Sequence, residues 1–350
     1  MSNGDVLSAV HQQTEAVLET MHFVHAHPEL AYEEFECSEY LVSRLERALE
    51  VERGLAGMPT GFRATLRGER PGRTVGVVAV YDAVAVRRDN GLIEGVHSCG
   101  HGPIAGAIVG TALALASVRD HLPGTVIVFG CPADETASPG TIAQGGGKTR
   151  SVEQGAWKGV DAALFAHPES LDGVWHRSRW FRRYEATYSG HQDPDSWSLP
   201  TDKFRLEQVK IEHENGRTVT HVVLRVFGED EAMILQRADD LSAEHPPESL
   251  VPGQLTAGVR SDRRIAATVE AVFEELKRDF VSDTPEMPFS NDFGNICQQV
   301  PAALIGISRP GGWAMHTDEG AAQFASAEGE ELARTMAEIL TLTTARLLPS

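Results

Sequence analysis

Two hydrophobic patterns alternate along the first half of the chain. Apolar residues recur at helical spacing in four stretches, which predicts helices over residues 5–22, 36–50, 103–119 and near 147–157. Continuous apolar runs of buried-strand length predict strands at TVGVVAVY (74–81), TVIVF (125–129) and DAALFA (161–166). Because helices and strands alternate, we expect an α/β fold with a mostly parallel sheet flanked by helices.

The pattern changes near Val174. A mixed aromatic and basic stretch is followed by FRLEQVKIE (204–212) and TVTHVVLRVF (218–227), in which apolar and polar residues alternate. These two predicted strands bracket Glu214-Asn215-Gly216, a favourable hairpin turn, and a helix is predicted near 229–243. The segment therefore predicts a small α+β domain inserted into the larger one.

The α/β pattern resumes after this segment. The sequence predicts a helix at about 262–280, a strand at AALIGI (302–307) and a terminal helix at about 326–347. We therefore divide the chain into a first part of the main domain at 1–175, an inserted domain at 176–252 and a second part of the main domain at 253–350.

Composition and charge exclude several classes of protein. With 350 residues, 41% of them hydrophobic, the chain has enough apolar material for a large core. The formal net charge of −19 would repel nucleic acids and anionic membranes. The longest apolar stretch, around Ile104 to Ala116, is far shorter than the roughly 20 residues of a membrane span.

The cysteines and the first residues indicate the cellular location of the protein. The sequence does not begin with basic residues followed by an apolar run. We therefore expect no secretion signal and a soluble, cytoplasmic protein. The four cysteines have no framework spacing, which indicates free thiols or a metal ligand rather than disulfides. They are Cys37, Cys99, Cys131 and Cys297.

Side chains suited to metal binding or acid/base chemistry follow four predicted strands. They are Asp82, Asp134 with Glu135, His167 and His316. The loops at the carboxyl ends of parallel strands converge on one crevice, so these side chains should meet there. Between the first two strands, Cys99 and His101 are two residues apart, and flanking glycines relax the backbone enough for both to face one ion.

Each of these residues has an ordinary structural explanation when taken alone. A buried histidine such as His167 more often completes a hydrogen bond in a core, and Cys99 could be a small core residue. The Asp134-Glu135 pair and His316 could lie in helix caps or solvated loops. Together, however, Cys99, His101, Glu135, His167 and His316 at one end of one sheet predict a metal site.

Several stretches resemble the zinc aminoacylase and carboxypeptidase metallopeptidases, peptidase family M20, and its amidohydrolase branch in particular. That branch includes aminobenzoyl-glutamate hydrolase and aminoacylase-one-like dipeptidases. The matching stretches include HAHPELAYEE (25–34), GVHSCGHGPIAGAIVGTALAL (95–115), VIVFGCPADETASPG (126–140), GVDAALFAHPES (159–170), SNDFGN (290–295) and MHTDEGAAQFASA (315–327).

The resemblance implies a zinc-exopeptidase-like catalytic domain and a set of residue roles. Two divalent ions (Zn²⁺, Mn²⁺ or Co²⁺) would be held by His101, Glu135, His167 and His316, with Cys99 as the bridging ligand. Asp82 would accept a hydrogen bond from a ligand histidine, and Asp134 would be the general base. The implied reaction is hydrolysis, through a metal-bridging water, of an amide in an N-acyl amino acid or small peptide-like substrate.

The sequence departs from the family at three places. Asp134 stands where the family has glutamate, and Gly102 replaces the usual polar residue after Cys-Gly-His. The inserted lid domain lacks an evident helix before FRLEQVKIE, so the resemblance leaves homodimer formation open. In the lid, His191 and Arg225 are weak candidates for substrate binding, since a surface histidine and a solvated strand arginine are the commoner cases.

These departures keep other functions open. The same metal site would serve a different reaction at a C–N bond, such as deamination or non-hydrolytic acyl transfer in a biosynthetic pathway. A catalytically inactive homologue that binds metal and a ligand is a further alternative. In each case the expected partner is a small molecule, with no nucleic acid and no membrane.

Overall fold

The computed structural model describes residues 3–136, 141–214 and 216–350. Its helices are α1 (Asn3–His11), α2 (Thr14–Ala26), α3 (Phe35–Leu45), α4 (His101–Ser117), α5 (Thr141–Gln144), α6 (Gly147–Glu153), α7 (Glu231–Glu244), α8 (Arg263–Glu275), α9 (Phe293–Cys297), α10 (Asp318–Phe324) and α11 (Ala327–Leu347). Its strands are β1 (Glu50–Arg53), β2 (Phe62–Arg67), β3 (Arg70–Ala79), β4 (Val84–Arg87), β5 (Ile93–Val96), β6 (Pro123–Gly130), β7 (Ala162–Pro168), β8 (Gly173–Trp175), β9 (Trp180–Ser189), β10 (Phe204–Glu214), β11 (Arg217–Gly228), β12 (Ser249–Thr256) and β13 (Ala302–Ile307).

The main sheet confirms the predicted α/β fold with its mostly parallel centre. Within the described chain its strand order is β1-β2-β6-β3-β7-β13-β8. The neighbouring pairs β6/β3, β3/β7 and β7/β13 are parallel, whereas β1, β2 and β8 join antiparallel at the two edges. Every residue of β7 and β13 is buried, as expected for central strands covered by helices on both faces.

Helix α4 lies in the middle of one helical layer, packed between α2 and α11. Its glycines allow close contact with α2: a Cβ at Gly106 would lie 2.4 Å from the backbone oxygen of Val17. The helix is apolar almost throughout because it is buried on nearly all sides. Among the described residues, no helix is both long and apolar enough to cross a membrane.

A second sheet, with strand order β10-β11-β9-β12, is formed by residues 180–256. Helix α7 packs against one of its faces, and the residues between them form a hydrophobic cluster separate from the main core. Residues 190–203 contain only a short 3-10 turn at Pro194–Ser196, so no α-helix precedes β10. This separate sheet and cluster support the proposed inserted domain at 176–252.

Three predicted helices were wrong in their bounds, and the one predicted at about 262–280 ends at Glu275. The helix predicted over 5–22 is interrupted between α1 and α2, where the Thr14 hydroxyl donates to the His11 carbonyl oxygen at 2.7 Å and competes with the helical pattern. The helix predicted over 36–50 ends at Leu45, because the residues from Glu50 pair with β2 instead. Strands β10 and β11 form the predicted antiparallel pair, but Asn215 of the predicted turn lies outside the described residues.

The contact between α2 and α4 gives a testable prediction. Gly106→Ala should lower the free energy of unfolding by roughly 1 to 3 kcal/mol, because its methyl group would overlap backbone that cannot move away. Gly110→Ala is the matched comparison in the same helix, since its methyl group would meet a side-chain methyl of Val17 rather than backbone. Urea unfolding measures both; an equal or larger loss at Gly110 would contradict this account of the packing.

Candidate metal centre

The five residues predicted as metal ligands lie together at the carboxyl edge of the main sheet. Cys99 precedes α4 and His101 begins it, while Glu135 follows β6. His167 lies in β7, and His316 precedes α10. The potential ligand atoms of Cys99, His101 and His167 lie within 4.8 Å of one another, as do those of Cys99, Glu135 and His316. Cys99 belongs to both groups and therefore lies between two potential ion positions.

Individual distances confirm how tightly these side chains converge. The Cys99 Sγ atom lies 3.6 Å from Nε2 of His167 and 3.3 Å from Nε2 of His316. The same His316 nitrogen lies 3.2 Å from Oε1 of Glu135. Among these residues, the imidazole of His316 is the most open, with about half of its side chain exposed.

Unusual backbone conformations place several of these residues. Gly100 has a φ of 80°, and a Cβ at this position would lie 2.5 Å from the Pro168 side chain, so the loop between Cys99 and His101 requires glycine. Ala133, directly before Asp134, and His316 also have positive φ, at 57° and 62°. Non-glycine residues adopt this conformation at an energetic cost, which proteins accept mainly at functional sites.

Two histidines have the ring orientation that metal binding requires. Nδ1 of His101 lies 2.6 Å from the backbone oxygen of Asp82, and Nδ1 of His167 lies 2.9 Å from that of Pro168 and 3.1 Å from Oε1 of Glu169. In each ring, Nδ1 therefore faces an oxygen, and Nε2 is the nitrogen that would offer its lone pair to a bound ion. Nε2 of His101 is buried, and among the described residues its contact with Oδ2 of Asp134, at 3.3 Å, lacks hydrogen-bond geometry.

The Cys99 thiol is also prepared to act as a ligand. Burial and Glu135 raise its pKa, but His167 and His101 outweigh them and bring the pKa to about 7. A thiolate is therefore accessible at neutral pH. A set of sulfur, imidazole and carboxylate donors suits Zn²⁺ or Co²⁺, and its nitrogen and oxygen members also suit Mn²⁺. The residues present thus fit a site for divalent metal ions.

Asp82 connects two members of this group. Its Oδ1 lies 3.1 Å from Nδ1 of His101, and its Oδ2 accepts a hydrogen bond from the backbone N–H of Glu135 at 2.8 Å. The side chain is completely buried. Asp82 thus lies where a carboxylate can orient a ligand histidine, and it also fixes the loop that carries Glu135.

Asp134 is paired with a buried cation that the sequence patterns did not indicate. Its Oδ1 contacts Nζ of Lys148, and its Oδ2 lies 3.3 Å from Nε2 of His101. Lys148 also lies 2.6 Å from Oδ1 of Asp292, so one ammonium group joins two carboxylates. Burial raises the pKa of Asp134, but Lys148 and His101 outweigh it and hold that pKa well below its ordinary value.

The second carboxyl group of this triad has the opposite shift. Burial raises the pKa of Asp292 to about 7, and Asp134 adds to the effect, although Lys148 opposes it. Lys148 keeps its charge because its two carboxylate partners raise its pKa more than burial lowers it. The ammonium group of Lys148 therefore stabilises the ionised form of Asp134 more strongly than that of Asp292.

A cavity of about 740 Å³ opens beside these residues, between the main sheet and the second sheet. Cys99, Asp134, Glu135, His167 and His316 all contribute to its wall, and so does Arg225. His191 is exposed on the loop after β9 and is not among the described residues that line the cavity. The structure thus brings Arg225 to the cavity and leaves His191 away from it.

The sequence analysis did not name three residues of this site, although sequence features could have pointed to two of them. Glu169 follows His167 by two residues, a spacing that allows a carboxylate to hold the imidazole. Asp292 lies within SNDFGN, one of the stretches that resemble the family. Lys148 follows the glycine run Gly145-Gly146-Gly147, and its pairing with Asp134 depends on tertiary structure alone.

The triad predicts a large loss of stability when Lys148 is replaced. Lys148→Met should lower the free energy of unfolding by about 3–5 kcal/mol, because it leaves two buried carboxylates beside each other without a cation. Lys158→Met is the matched control, since Lys158 is exposed and should change stability by less than about 0.5 kcal/mol. Equal unfolding midpoints for the two variants in urea would contradict the proposed importance of the pairing.

Comparison with known proteins gives partial sequence matches. Thermostable carboxypeptidase 1 of Saccharolobus solfataricus is 32% identical over 154 residues, which cover 42% of this chain and 37% of the relative. One chain of the p-aminobenzoyl-glutamate hydrolase of Escherichia coli is 33% identical over 162 residues, which cover 43% of this chain and 32% of the relative. The chain thus spans about a third of the length of these curated relatives.

A solved structure matches over a much larger part of the chain. A Bacillus subtilis protein described as a dinuclear metal binding peptidase from the M20 family has a TM-score of 0.67 and 19% identity, and the match covers 97% of this chain and 100% of the other. At this identity the likeness shows the fold. The sequence profile of "Peptidase family M20/M25/M40" matches residues 79–341. Three-quarters of the sequence carries this match, and the chain belongs to that peptidase family.

Proposed function

We propose that this protein is a metal-dependent hydrolase that cuts the amide C–N bond of an N-acyl amino acid or a small peptide-like substrate. The observation that carries the proposal is the convergence of five donor side chains, with Cys99 between two groups of ligands, in the wall of a cavity. Membership of a peptidase family supports the reaction type, and the relatives named above are a carboxypeptidase and a hydrolase of p-aminobenzoyl-glutamate.

We propose Cys99, His101, Glu135, His167 and His316 as the ligands of two divalent ions. The dinuclear metal binding peptidase with the same fold supports this number. Two ions bound here would lower the pKa of a water molecule and polarise the carbonyl of the scissile amide. Asp82 and Glu169 would hold His101 and His167 so that each Nε2 keeps facing the ions.

The proposed general base is Asp134. One carboxylate oxygen of Asp134 is paired with Lys148, and the other faces the proposed ligand His101. The side chain is therefore fixed at the edge of the proposed metal site. This fixed position supports a role in accepting the proton of the water and passing it to the leaving amine. Because Lys148 favours the ionised form of Asp134, the carboxylate is unprotonated and has room for a proton.

We further infer the organisation and location of the protein. A catalytic domain formed by 1–175 and 253–350, with an inserted domain at 176–252, is supported by the separate hydrophobic clusters of the two sheets. A cytoplasmic location is supported by the four cysteines, all free thiols in this structure.

The proposal predicts hydrolysis by the metal-loaded protein. Purified protein given Mn²⁺, Zn²⁺ or Co²⁺ should release free amine from at least one member of a panel of N-acyl amino acids and dipeptides, and removal of the metal by a chelator should abolish that release. Liquid chromatography of the products measures it. Stoichiometric metal binding without turnover of any substrate would favour the inactive homologue instead.

The bridging position of Cys99 predicts a change in metal content. Cys99→Ala should lose at least one of two bound ions per chain, because both groups of ligands include its sulfur. Cys297→Ala serves as the matched control, since Cys297 lies in α9 and belongs to neither group. Metal analysis of the dialysed proteins gives the number of bound ions per chain. Two bound ions in Cys99→Ala would show that Cys99 is not a required metal ligand.

A further inference from the structure

Three arginines lie side by side across the second sheet. In the antiparallel register, Arg205 of β10 pairs with Arg225 of β11, and Arg225 pairs in turn with Arg183 of β9. All three line the cavity beside the candidate metal centre. Directly paired residues on neighbouring strands have side chains on the same face of a sheet. The three guanidinium groups, which we call the arginine row, therefore lie on the face that closes the cavity.

The arginine row is an unfavourable arrangement in the protein alone. Like charges on directly opposite residues of neighbouring strands destabilise a sheet. Glu207 pairs with Arg183 and Arg225, while Arg205 has no ion-pair partner within the described part of the chain. Three arginines against one glutamate leave two positive charges in excess on this wall of the cavity.

Burial sets two members of this row, Arg183 and Arg225, apart from an ordinary solvated strand face, whereas Arg205 at the outer end of the row is exposed. The side chains of Arg183 and Arg225 are only 13% and 14% exposed. The guanidinium of Arg225 lies 4.5 Å from the centre of the Phe181 ring, and its Nε is buried without a hydrogen-bond partner among the described residues. Burial and then Arg183 lower the pKa of Arg225 to about 10, so the group stays charged at neutral pH.

The row is also connected directly to the candidate metal centre. Nη1 of Arg183 donates a hydrogen bond to Oγ1 of Thr136 at 2.7 Å, and Thr136 is the residue after the proposed ligand Glu135. The arginine row thus begins next to the proposed ligands and extends away from them across β11 to β10. A substrate amide placed at the metal centre would have its substituents directed along the row.

We propose that the arginine row is a subsite for a second carboxylate, and that the substrate is an N-acyl or peptide-like amide of a dicarboxylic amino acid. This inference rests on the proposed amide hydrolysis and names its substrate class. One carboxylate would be held near Arg183, beside the metal centre, and the other by Arg225 and Arg205. Two carboxylates match the two positive charges in excess, and guanidinium groups bind carboxylates in paired hydrogen bonds.

The kinetic test compares substrates of nearly equal shape. For the metal-loaded enzyme, kcat/KM should be roughly tenfold or more higher for N-acetylglutamate than for N-acetylglutamine, because the amide lacks the charge that the row requires. Arg225→Met should remove that preference mainly by raising KM, and Arg225→Lys should restore part of it. Equal kcat/KM for the two substrates in the unaltered enzyme would overturn the proposal.

A matched control is available on the neighbouring residue of the same strand. Arg182 precedes Arg183 in β9, is 16% exposed and pairs with Glu231 of α7, on the face of the sheet away from the cavity. Arg182→Met should leave the preference for N-acetylglutamate unchanged. If this variant loses the preference as much as Arg225→Met does, then the effect comes from general disturbance of the sheet, and the subsite is refuted.

A binding measurement separates this proposal from the proposed reaction. Titration calorimetry of the metal-loaded protein should show tighter binding of glutarate than of butyrate, and Arg225→Met should reduce the difference without changing the affinity for butyrate. This result would support the subsite even if no amide were hydrolysed. Equal affinity for the two acids in the unaltered protein would overturn the subsite and leave the proposed hydrolysis intact.

Discussion

The structure depends on compensating buried charge at one edge of a hydrophobic sheet. Asp82, Asp134 and Asp292 are all buried there, together with His101 and His167. An ionised group taken out of water is stable only when it is paired or binds a metal ion. Lys148 pairs with two of the aspartates, and imidazole groups face the other carboxylates. The central strands can bring so many ionisable side chains together only because each has an opposite charge within reach.

The same need for an opposite charge explains the surroundings of Asp134, which stands where the resembling family has glutamate. Its buried carboxylate is paired with the ammonium group of Lys148. A side chain shorter by one methylene reaches less far into the cavity, and its ion pair with Lys148 fixes its position. Lys148 is held in turn by Asp292, which directly precedes α9. Three separate parts of the chain therefore determine the position of the proposed base: α6, the residue before α9 and the loop after β6.

The sequence predicted the fold and the convergence of the candidate metal ligands, because both follow from local patterns. Apolar runs identified β3, β6 and β7, and the convergence of their carboxyl ends placed Glu135 and His167 at one crevice. The pairing of Lys148 with Asp134 could not be predicted in this way, since fourteen residues and a change of direction separate them. Likewise, the arginine row depends on the register of β9, β10 and β11, which periodicity alone does not fix.

The hydrogen bond between Arg183 and Thr136 connects the second sheet to the loop that carries Glu135. Any movement of that sheet away from the main sheet must either break this bond or pull the loop with it. The position of the second sheet and the position of the proposed ligand Glu135 are therefore coupled through this hydrogen bond. By thermodynamic linkage, whatever stabilises the present position of the second sheet also favours the present position of the Glu135 loop, and the reverse holds equally.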